Sequence, residues 1–214
     1  KNYEILIVAP DKETMDKAKE YSRTNKNIRI LKDEQRGKPA ALNLAVSKSK
    51  GDILILTDGD VYVDENALAL LINTFKDKRI GAVSGNPISL NLRNSMLGFW
   101  SHLLTNIANE NRLKSIKLKR RFFCSGYLFA IRKKIFPKLP ENLLSEDGYI
   151  SNEVYKKGSY IAYFEKSRVY IKYPANFKDW IIQKRRSVGG YNQIKNIRYV
   201  EIRSFKQESF GAFS

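Results

Sequence analysis

The sequence predicts an α/β fold in which a mostly parallel sheet is flanked by helices. Two observations lead to this prediction: short apolar segments alternate with longer helical segments through the first half of the chain, and one fully apolar strand ends in an acidic turn. Strands separated by helices form parallel sheets with right-handed crossovers. Ligands of such sheets bind beyond the carboxyl ends of the strands. The pattern therefore also predicts the sheet edge at which a site should lie.

The first half of the chain supplies the alternating strands and helices. Its strands are rich in isoleucine, leucine and valine, and its helices carry apolar residues at helical spacing. Pro39 suits the first turn of a helix, and Lys50-Gly51 ends that helix before the next strand. The predicted strands are residues 3–9, 27–31, 52–57 and 80–84, and the predicted helices are residues 11–24, 40–46 and 65–76.

The second half contains a longer helical segment at residues 95–118. Its apolar stripe has two interpretations: the stripe packs on the sheet, or it lies among the headgroups of a membrane. Residues 122–131 predict a buried strand entered through a glycine turn, and Ser145 is a candidate cap of the following helix. Because no repeat or linker is visible, we expect one domain over residues 1–214. The stripe consists of Met96, Leu97, Trp100, Leu103, Leu104 and Ile107.

The net charge and the single cysteine and histidine limit the kinds of site that the chain can contain. The formal charge of +17, from 39 Lys and Arg against 22 Asp and Glu, predicts a surface that attracts anions. Residues 111–140 alone contain ten basic residues and no acidic one. The single cysteine, Cys124, excludes an internal disulfide, and the single histidine, His102, leaves neither a zinc cluster nor a choice of base for a Ser-His-Asp triad. A bound metal would therefore be held by carboxylates, which favours Mg²⁺ or Mn²⁺.

Two aspartates stand directly beyond the apolar strand at residues 52–57. Asp58 and Asp60, separated by Gly59, can both face one hard cation that carries a diphosphate. Asp-Gly is also common turn chemistry, so the pair alone is equally compatible with an ordinary acidic turn.

Two further polar clusters extend the prediction. Glu146 and Asp147 open a helix, where acids favour the helix dipole, and one of them could instead serve as a base. Gln183 and Arg186 stand three apart on one helical face. Taken together, the clusters describe a metal site for a nucleotide diphosphate, a separate carboxylate base, and donors for the departing phosphates and the acceptor.

These motifs, in this order over residues 3–190, resemble family 2 glycosyltransferases, and more narrowly their processive, cellulose-synthase-like branch. The branch pairs an Asp-x-Asp with a Glu-Asp and a Gln-x-x-Arg-Trp. The segments that carry the resemblance are residues 37–43, 57–60, 124–126 leading to Arg132-Lys133, 145–147 and 183–186.

The resemblance implies a GT-A fold and inverting transfer of a sugar from a UDP- or GDP-linked donor to a glycan or lipid-linked acceptor, with Mg²⁺ or Mn²⁺. It implies a nucleotide-sugar-binding half at residues 1–90, an acceptor-binding half at 91–190 and a basic extension at 191–214. Asp147 would be the catalytic base. The residues that would bind the donor are Asp11, Lys38, Asp58 and Asp60, and Asp58 and Asp60 would also hold the metal. The residues that would hold the acceptor or the diphosphate are Glu146, Gln183 and Arg186.

The chain departs from the family pattern at three places. The apolar strand that usually precedes the strand at residues 3–9 is missing from this sequence. The segment Val8-Ala9-Pro10-Asp11 stands where the family has paired aspartates, which leaves Asp11 alone as a candidate contact to the donor. Ser187 stands where a tryptophan is expected, which favours addition of a single sugar at least as much as processive synthesis.

Members of this branch often continue into membrane helices. We therefore expect the chain to act at the cytoplasmic face of a membrane, either as a peripheral protein or as the catalytic part of a membrane protein. The basic residues between 112 and 138 would face anionic headgroups. Two other functions stay open. One is a sugar nucleotidyltransferase, which usually carries a glycine-rich phosphate loop that this sequence lacks. The other is a basic nucleic-acid-binding protein, against which the four acids of the predicted cleft argue, so no nucleic acid is expected.

Overall fold

The computed structural model describes residues 3–196, and its elements confirm the α/β class. Most predicted boundaries lie within two residues of the observed ones. In chain order the elements are β1 (Ile5–Ala9), α1 (Lys12–Thr24), β2 (Ile28–Lys32), α2 (Lys38–Lys48), β3 (Ile53–Thr57), β4 (Tyr62–Val63), α3 (Ala67–Thr74), β5 (Ile80–Ser89), α4 (Met96–Lys117), β6 (Leu128–Arg132), α5 (Glu146–Lys156), β7 (Tyr160–Ile171) and α6 (Phe177–Asn196).

The strands form two sheets rather than the mostly parallel sheet predicted. β1 and β2 pair in parallel in a sheet of their own, and the second sheet has the order β3-β6-β5-β7-β4. In that sheet only β5 and β7 are parallel, and the other three pairings are antiparallel. The parallel prediction is therefore wrong for these three pairings. β6 returns between β3 and β5 after the long helix α4, a placement that the local alternation of strands and helices does not encode.

The predicted strand at residues 122–131 is shorter than expected, because only its second half joins the sheet as β6. Backbone groups in the first half bond to side chains instead. The amide N–H of Cys124 donates to Ser151 Oγ at 3.0 Å, and the amide N–H of Ser125 donates to Ser84 Oγ at 2.9 Å. Cys124 itself is buried, and burial raises the pKa of its thiol to about 12.

Apolar clusters cover both faces of the five-stranded sheet. Successive side chains of a strand point to opposite faces, so Phe129 and Ile131 pack with α5 residues on one face while Leu128 and Ala130 pack with α3 residues on the other. The cluster on the α5 side includes Ile150. Helix α5, which begins with Glu146 and Asp147, is thereby fixed against the sheet.

Helix α4 packs through small residues and through only part of its apolar stripe. Gly98, Ser101 and Thr105 are buried, and a Cβ at Gly98 would lie 1.8 Å from the carbonyl oxygen of Leu92. Of the stripe, Leu97 is buried, whereas Met96 (59%), Trp100 (38%) and Leu103 (38%) are exposed. The interpretation that the stripe packs on the protein therefore holds for Leu97 and is wrong for Met96, Trp100 and Leu103. Among the described residues, no helix is both long and apolar enough to cross a membrane.

Candidate functional site

The acidic turn follows the carboxyl end of β3, as the sequence predicted. β3 is the first strand in the order of the five-stranded sheet. Thr57 ends the strand and its hydroxyl donates to the carbonyl of Tyr127 at 2.9 Å, which ties the turn to the loop before β6. The Asp58 side chain is 26% exposed, whereas Asp60 is exposed to solvent. The two carboxylates thus occupy different environments although one residue separates them.

Lys38 links the acidic turn to the second acidic cluster. Its Nζ lies 2.6 Å from Asp58 Oδ1 and 3.0 Å from Glu146 Oε1. Burial alone would lower the pKa of the Lys38 ammonium, but the charges of Glu146 and Asp58 raise it above its ordinary value. The three side chains therefore form a charged bridge between β3, α2 and α5.

The local sequence fixes where Lys38 begins its helix. Gly37 is the N-cap of α2 and has a φ of 93°, a conformation that favours glycine. Pro39 follows in the first turn, where its fixed φ suits a helix and its missing N–H costs nothing.

Asp147 lies in the first turn of α5 and has one carboxylate oxygen held by protein donors. Its Oδ1 accepts a hydrogen bond from the Ser145 hydroxyl at 2.8 Å and another from the Gly148 amide at 2.9 Å. The other oxygen, Oδ2, faces Gly126, where a Cβ would lie 3.4 Å away. Asp147 is therefore held in orientation through Oδ1 and presents Oδ2 to the space beside Gly126.

The environment of Asp147 makes its carboxylate a stronger base than an ordinary aspartate. Burial raises its pKa, and the neighbouring charge of Glu146 raises it further, while the Ser145 hydroxyl and the Gly148 amide lower it. Burial has the largest effect because it penalises the charged form. A base with a raised pKa accepts a proton more readily.

Tyr127 interacts electrostatically with the acidic turn and with Asp147. Its side chain is half-buried, and burial, followed by Tyr173 and the charges of Asp58, Asp60 and Asp147, raises the pKa of its hydroxyl. Tyr127 is thus neutral at physiological pH and can donate a hydrogen bond beside these three carboxylates.

Helix α6, which carries Gln183 and Arg186, packs over the start of α5. Gln193 accepts from the Leu144 amide at 2.9 Å, and a Cβ at Gly190 would lie 2.7 Å from the Cβ of Ser145. Gln183 precedes Gly190 by seven residues, or about 10 Å along the helix. Its Oε1 is buried and has no hydrogen-bond partner among the described residues, whereas Arg186 is exposed.

Asp11 serves as the N-cap of α1. Its carboxylate accepts from the backbone N–H of Thr14 at 2.7 Å and from the Thr14 hydroxyl at 3.0 Å. These hydrogen bonds, the backbone one foremost, lower the pKa of Asp11. Within the described residues Asp11 makes no contact with the Lys38 bridge, so its role in donor binding stays a prediction.

The cavity beside this bridge brings together four of the predicted site residues. Its wall combines the acids and Lys38 with apolar side chains from β3, α2 and β6. The lining residues are Lys38, Leu42, Leu56, Thr57, Asp58, Gly126, Phe129, Glu146 and Asp147.

Asp58 and Asp60 fit a divalent cation that a diphosphate also binds. Among residues 3–196, no group of three or more His, Cys, Asp or Glu side chains could hold a metal by itself. Lys38 occupies Asp58 Oδ1, which leaves Asp58 Oδ2 and the exposed Asp60 carboxylate as ligands. One or two carboxylates completed by substrate phosphates and water are typical of Mg²⁺ sites. The donor set therefore fits such a cation when the nucleotide supplies further oxygens.

Sequence reasoning missed the contributions of Ser145 and Gly126. Ser145 is the N-cap residue of α5, as the sequence predicts, but its hydroxyl donates to Asp147 instead of accepting from a backbone N–H. The spacing Ser-x-Asp permits this bond and could have indicated it. Nothing in the local sequence shows that Gly126 faces Asp147, because the two residues meet only through the tertiary fold.

Comparison with known proteins gives one family and several relatives. Residues 1–139 match the model described as Glycosyl transferase family 2. The probable glycosyltransferase YdaM of Bacillus subtilis (strain 168) is 28% identical over 173 residues, which cover 77% of this chain and 40% of YdaM. The poly-beta-1,6-N-acetyl-D-glucosamine synthase of Staphylococcus aureus (strain COL) is 34% identical over 98 residues, which cover 44% of this chain and 24% of the synthase. The chain therefore spans less than half the length of either relative.

Among solved structures, the mannosyltransferase PcManGT from Pyrobaculum calidifontis, in complex with GDP-Man and Mn²⁺, superposes with a TM-score of 0.69. The match covers 94% of this chain and 56% of PcManGT at 18% identity. At this identity the likeness shows the fold alone, and it confirms the GT-A fold that the sequence resemblance implied.

Proposed function

The chain belongs to glycosyl transferase family 2, and from that premise we propose that it transfers a sugar from a nucleotide-diphosphate donor to an acceptor hydroxyl with inversion. One observation carries the proposal: the Asp58 carboxylate and the half-buried base candidate Asp147 line one cavity although they come from different elements. Inverting displacement needs a base on one side of the sugar and charge neutralisation of the leaving group on the other. The family assignment favours neither a sugar nucleotidyltransferase nor a nucleic-acid-binding protein.

On the donor side, Asp58 and Asp60 would hold Mg²⁺ or Mn²⁺ together with the diphosphate of a UDP- or GDP-linked sugar. The PcManGT structure, which contains GDP-Man and Mn²⁺, supports a nucleotide sugar and a divalent cation for this fold. The cation would neutralise charge that develops on the departing diphosphate. Arg186, exposed on α6, would add a second positive charge near that leaving group.

On the acceptor side, Asp147 would remove the proton from the attacking hydroxyl through Oδ2. Oδ1 is engaged by Ser145 and Gly148, so the proton acceptor is the oxygen that faces Gly126. Gln183, whose Oε1 is buried and has no partner among the described residues, would accept a hydrogen bond from an acceptor hydroxyl. Glu146 would help to orient the acceptor from its place beside Asp147.

A thermal-shift panel of UDP- and GDP-linked sugars with Mn²⁺ tests the donor side. A donor at about 100 times its Kd should stabilise the protein by about 2.7 kcal/mol, a rise in Tm of roughly 5–10 °C for a domain of this size. Asp60→Asn should abolish the part of that rise that depends on Mn²⁺. Asp16→Asn, which changes an exposed acid paired with Lys19 on α1, serves as the control and should behave like the wild type. A full Mn²⁺-dependent shift in Asp60→Asn would contradict the metal assignment.

The number of sugars added per acceptor remains a prediction. Similarity to a protein named as a polysaccharide synthase supports the processive branch, whereas Ser187 at the expected tryptophan position favours single addition. The length of products formed under excess acceptor distinguishes the two, because a processive enzyme makes long chains while most of the acceptor stays unmodified.

We further propose that the chain acts at an anionic membrane surface on the cytoplasmic side, where it would meet a lipid-linked or glycan acceptor. The support is an apolar surface, here called the α4–α6 surface, formed by exposed residues of two adjoining helices. Trp100 of α4 contacts Trp180 of α6 with ring centroids 6.3 Å apart. The exposed members are Met96, Phe99, Trp100 and Leu103 on α4 and Phe177, Ile181 and Ile182 on α6.

Positive charge accompanies the α4–α6 surface, which matches the chemistry of anionic headgroups. Lys178 and Arg185 on α6 and Lys114 and Lys117 on α4 are exposed. Apolar side chains beside lysine and arginine are typical of helices that lie in the membrane interface. Each basic residue near an anionic surface contributes about 1 kcal/mol of binding.

Sedimentation with vesicles tests this partner. The protein should pellet with phosphatidylglycerol vesicles and much less with phosphatidylcholine vesicles. Replacing Phe99 and Ile181 by Ser should weaken binding without lowering the Tm, because both side chains are already exposed. Absence of the protein from the phosphatidylglycerol pellet at physiological salt would reject the membrane proposal while leaving the transfer proposal intact.

A further inference from the structure

The ammonium of Lys38 is held by two acids that belong to opposite sides of the proposed reaction. Asp58 lies at the end of β3 on the donor side, and Glu146 begins α5 beside the candidate base. The Nζ–oxygen distances of 2.6 and 3.0 Å leave no room for a water between Lys38 and either acid. A side chain that only contacted the nucleotide would not need both of these bonds.

The charge of Glu146 needs the pairing with Lys38 more than the charge of Asp58 does. The Glu146 side chain is only 8% exposed, and Lys38 is the only cation that pairs with it among the described residues. A buried carboxylate without a paired charge is strongly unfavourable and either takes up a proton or moves toward solvent. Asp58 is 26% exposed and keeps access to water.

Movement of Glu146 would reach Asp147 directly. The two residues are consecutive in the first turn of α5, and Ser145, which orients Asp147 through its hydroxyl, precedes them. The cavity is lined by three carboxylates, those of Asp58, Glu146 and Asp147, and Lys38 contacts two of them. Loss of Lys38 would therefore leave the base next to an unpaired acid.

We propose that Lys38 is a positioning residue that couples the diphosphate side of the site to the base-bearing helix by bridging Asp58 and Glu146. The role rests on the proposed transfer reaction, but it differs from donor binding alone. A lysine that only binds the donor should lower donor affinity when removed. A lysine that positions Glu146 and Asp147 should lower the transfer rate more than donor affinity.

The test compares Lys38→Met, Glu146→Gln and the double variant. Lys38→Met should lower kcat about 100-fold, the scale of misplacing a catalytic group by about 1 Å, while donor Kd rises far less. Glu146→Gln in the Lys38→Met background should restore kcat at least in part, because the acid left unpaired is gone. Lys17→Met, which removes an exposed lysine paired with Glu20 on α1, is the charge-matched control and should leave kcat unchanged.

Stability supplies a second measurement that does not require transfer. Lys38→Met should lower the urea midpoint, and the added Glu146→Gln should raise it again, because the unpaired buried charge no longer opposes folding. If the double variant is no better than Lys38→Met in both kcat and urea midpoint, the bridging role is wrong. If the midpoints show the rescue but the wild type transfers no sugar from any donor, the bridge stands and the proposed function fails.

Discussion

The sharpest single test of the proposed chemistry is Asp147→Asn. The substitution is nearly isosteric, and the remaining carbonyl oxygen can still accept the hydrogen bonds from Ser145 and Gly148. The change replaces Oδ2, the oxygen that faces Gly126, with an amide nitrogen that cannot accept a proton. The orientation of the residue is therefore kept while its capacity as a base is removed.

The expected loss follows from that change alone. Removal of a general base typically costs a factor of 10² to 10⁴ in rate, which corresponds to about 3–5 kcal/mol of transition-state stabilisation. Donor affinity should stay near that of the wild type because the proposed donor contacts are at Lys38, Asp58 and Asp60. Single-turnover transfer and donor titration by calorimetry measure the two quantities separately.

Stability adds an independent readout for the same variant. The pKa of Asp147 is raised in the folded state, mainly by burial, so this group favours the fold below its unfolded pKa and loses that contribution as pH rises through the folded pKa. Asp147→Asn lacks this loss, so its urea midpoint relative to the wild type should increase as the pH rises above about 3.9, the pKa of an aspartate in the unfolded chain. Transfer at the wild-type rate by a folded Asp147→Asn variant would refute the base assignment.

Two further predictions concern the residues around the site. Ser145→Ala removes a hydroxyl that lowers the pKa of Asp147, so the acidic limb of the pH–rate profile should move to higher pH, and an unmoved limb would contradict the orientation of Asp147 by Ser145. Gly98→Ala places a Cβ 1.8 Å from the Leu92 carbonyl oxygen and should destabilise the protein by about 1–3 kcal/mol in urea unfolding. Gly59→Ala has open space around its Cβ and is the control, so equal midpoints for the two variants would show that α4 accommodates the methyl group.

The sequence predicts the elements that have strong local signals. β3 was expected at residues 52–57 and is observed at Ile53–Thr57, because a fully apolar segment bounded by Gly51 and an acidic turn has few alternatives. Pro39 and the glycine before it likewise mark the start of α2. The acidic clusters indicated Asp58, Glu146 and Asp147, and the family resemblance added Lys38. These four residues do line one cavity.

The features that were missed depend on tertiary contacts. The apolar stripe predicted on α4 is exposed at Met96, Trp100 and Leu103. The helix approaches the protein largely through Gly98, Ser101 and Thr105, where small side chains allow close packing. The bridge from Lys38 to Glu146 joins residues 108 positions apart, and no local pattern specifies such a pair. The basic extension at residues 191–214 lies largely outside the described residues, and the division into donor and acceptor halves stays a prediction.

The buried thiol of Cys124 makes the molecule convenient for spectroscopy. It is the single cysteine of the chain, and its raised pKa of about 12 and its burial keep it protonated and inaccessible to thiol reagents in the native state. A cysteine introduced on the exposed surface of α6 would therefore be labelled selectively with a fluorophore or spin label, without first removing the native one. Conversely, the rate at which Cys124 itself reacts would report how often the loop between α4 and β6, which also carries Gly126, opens to solvent.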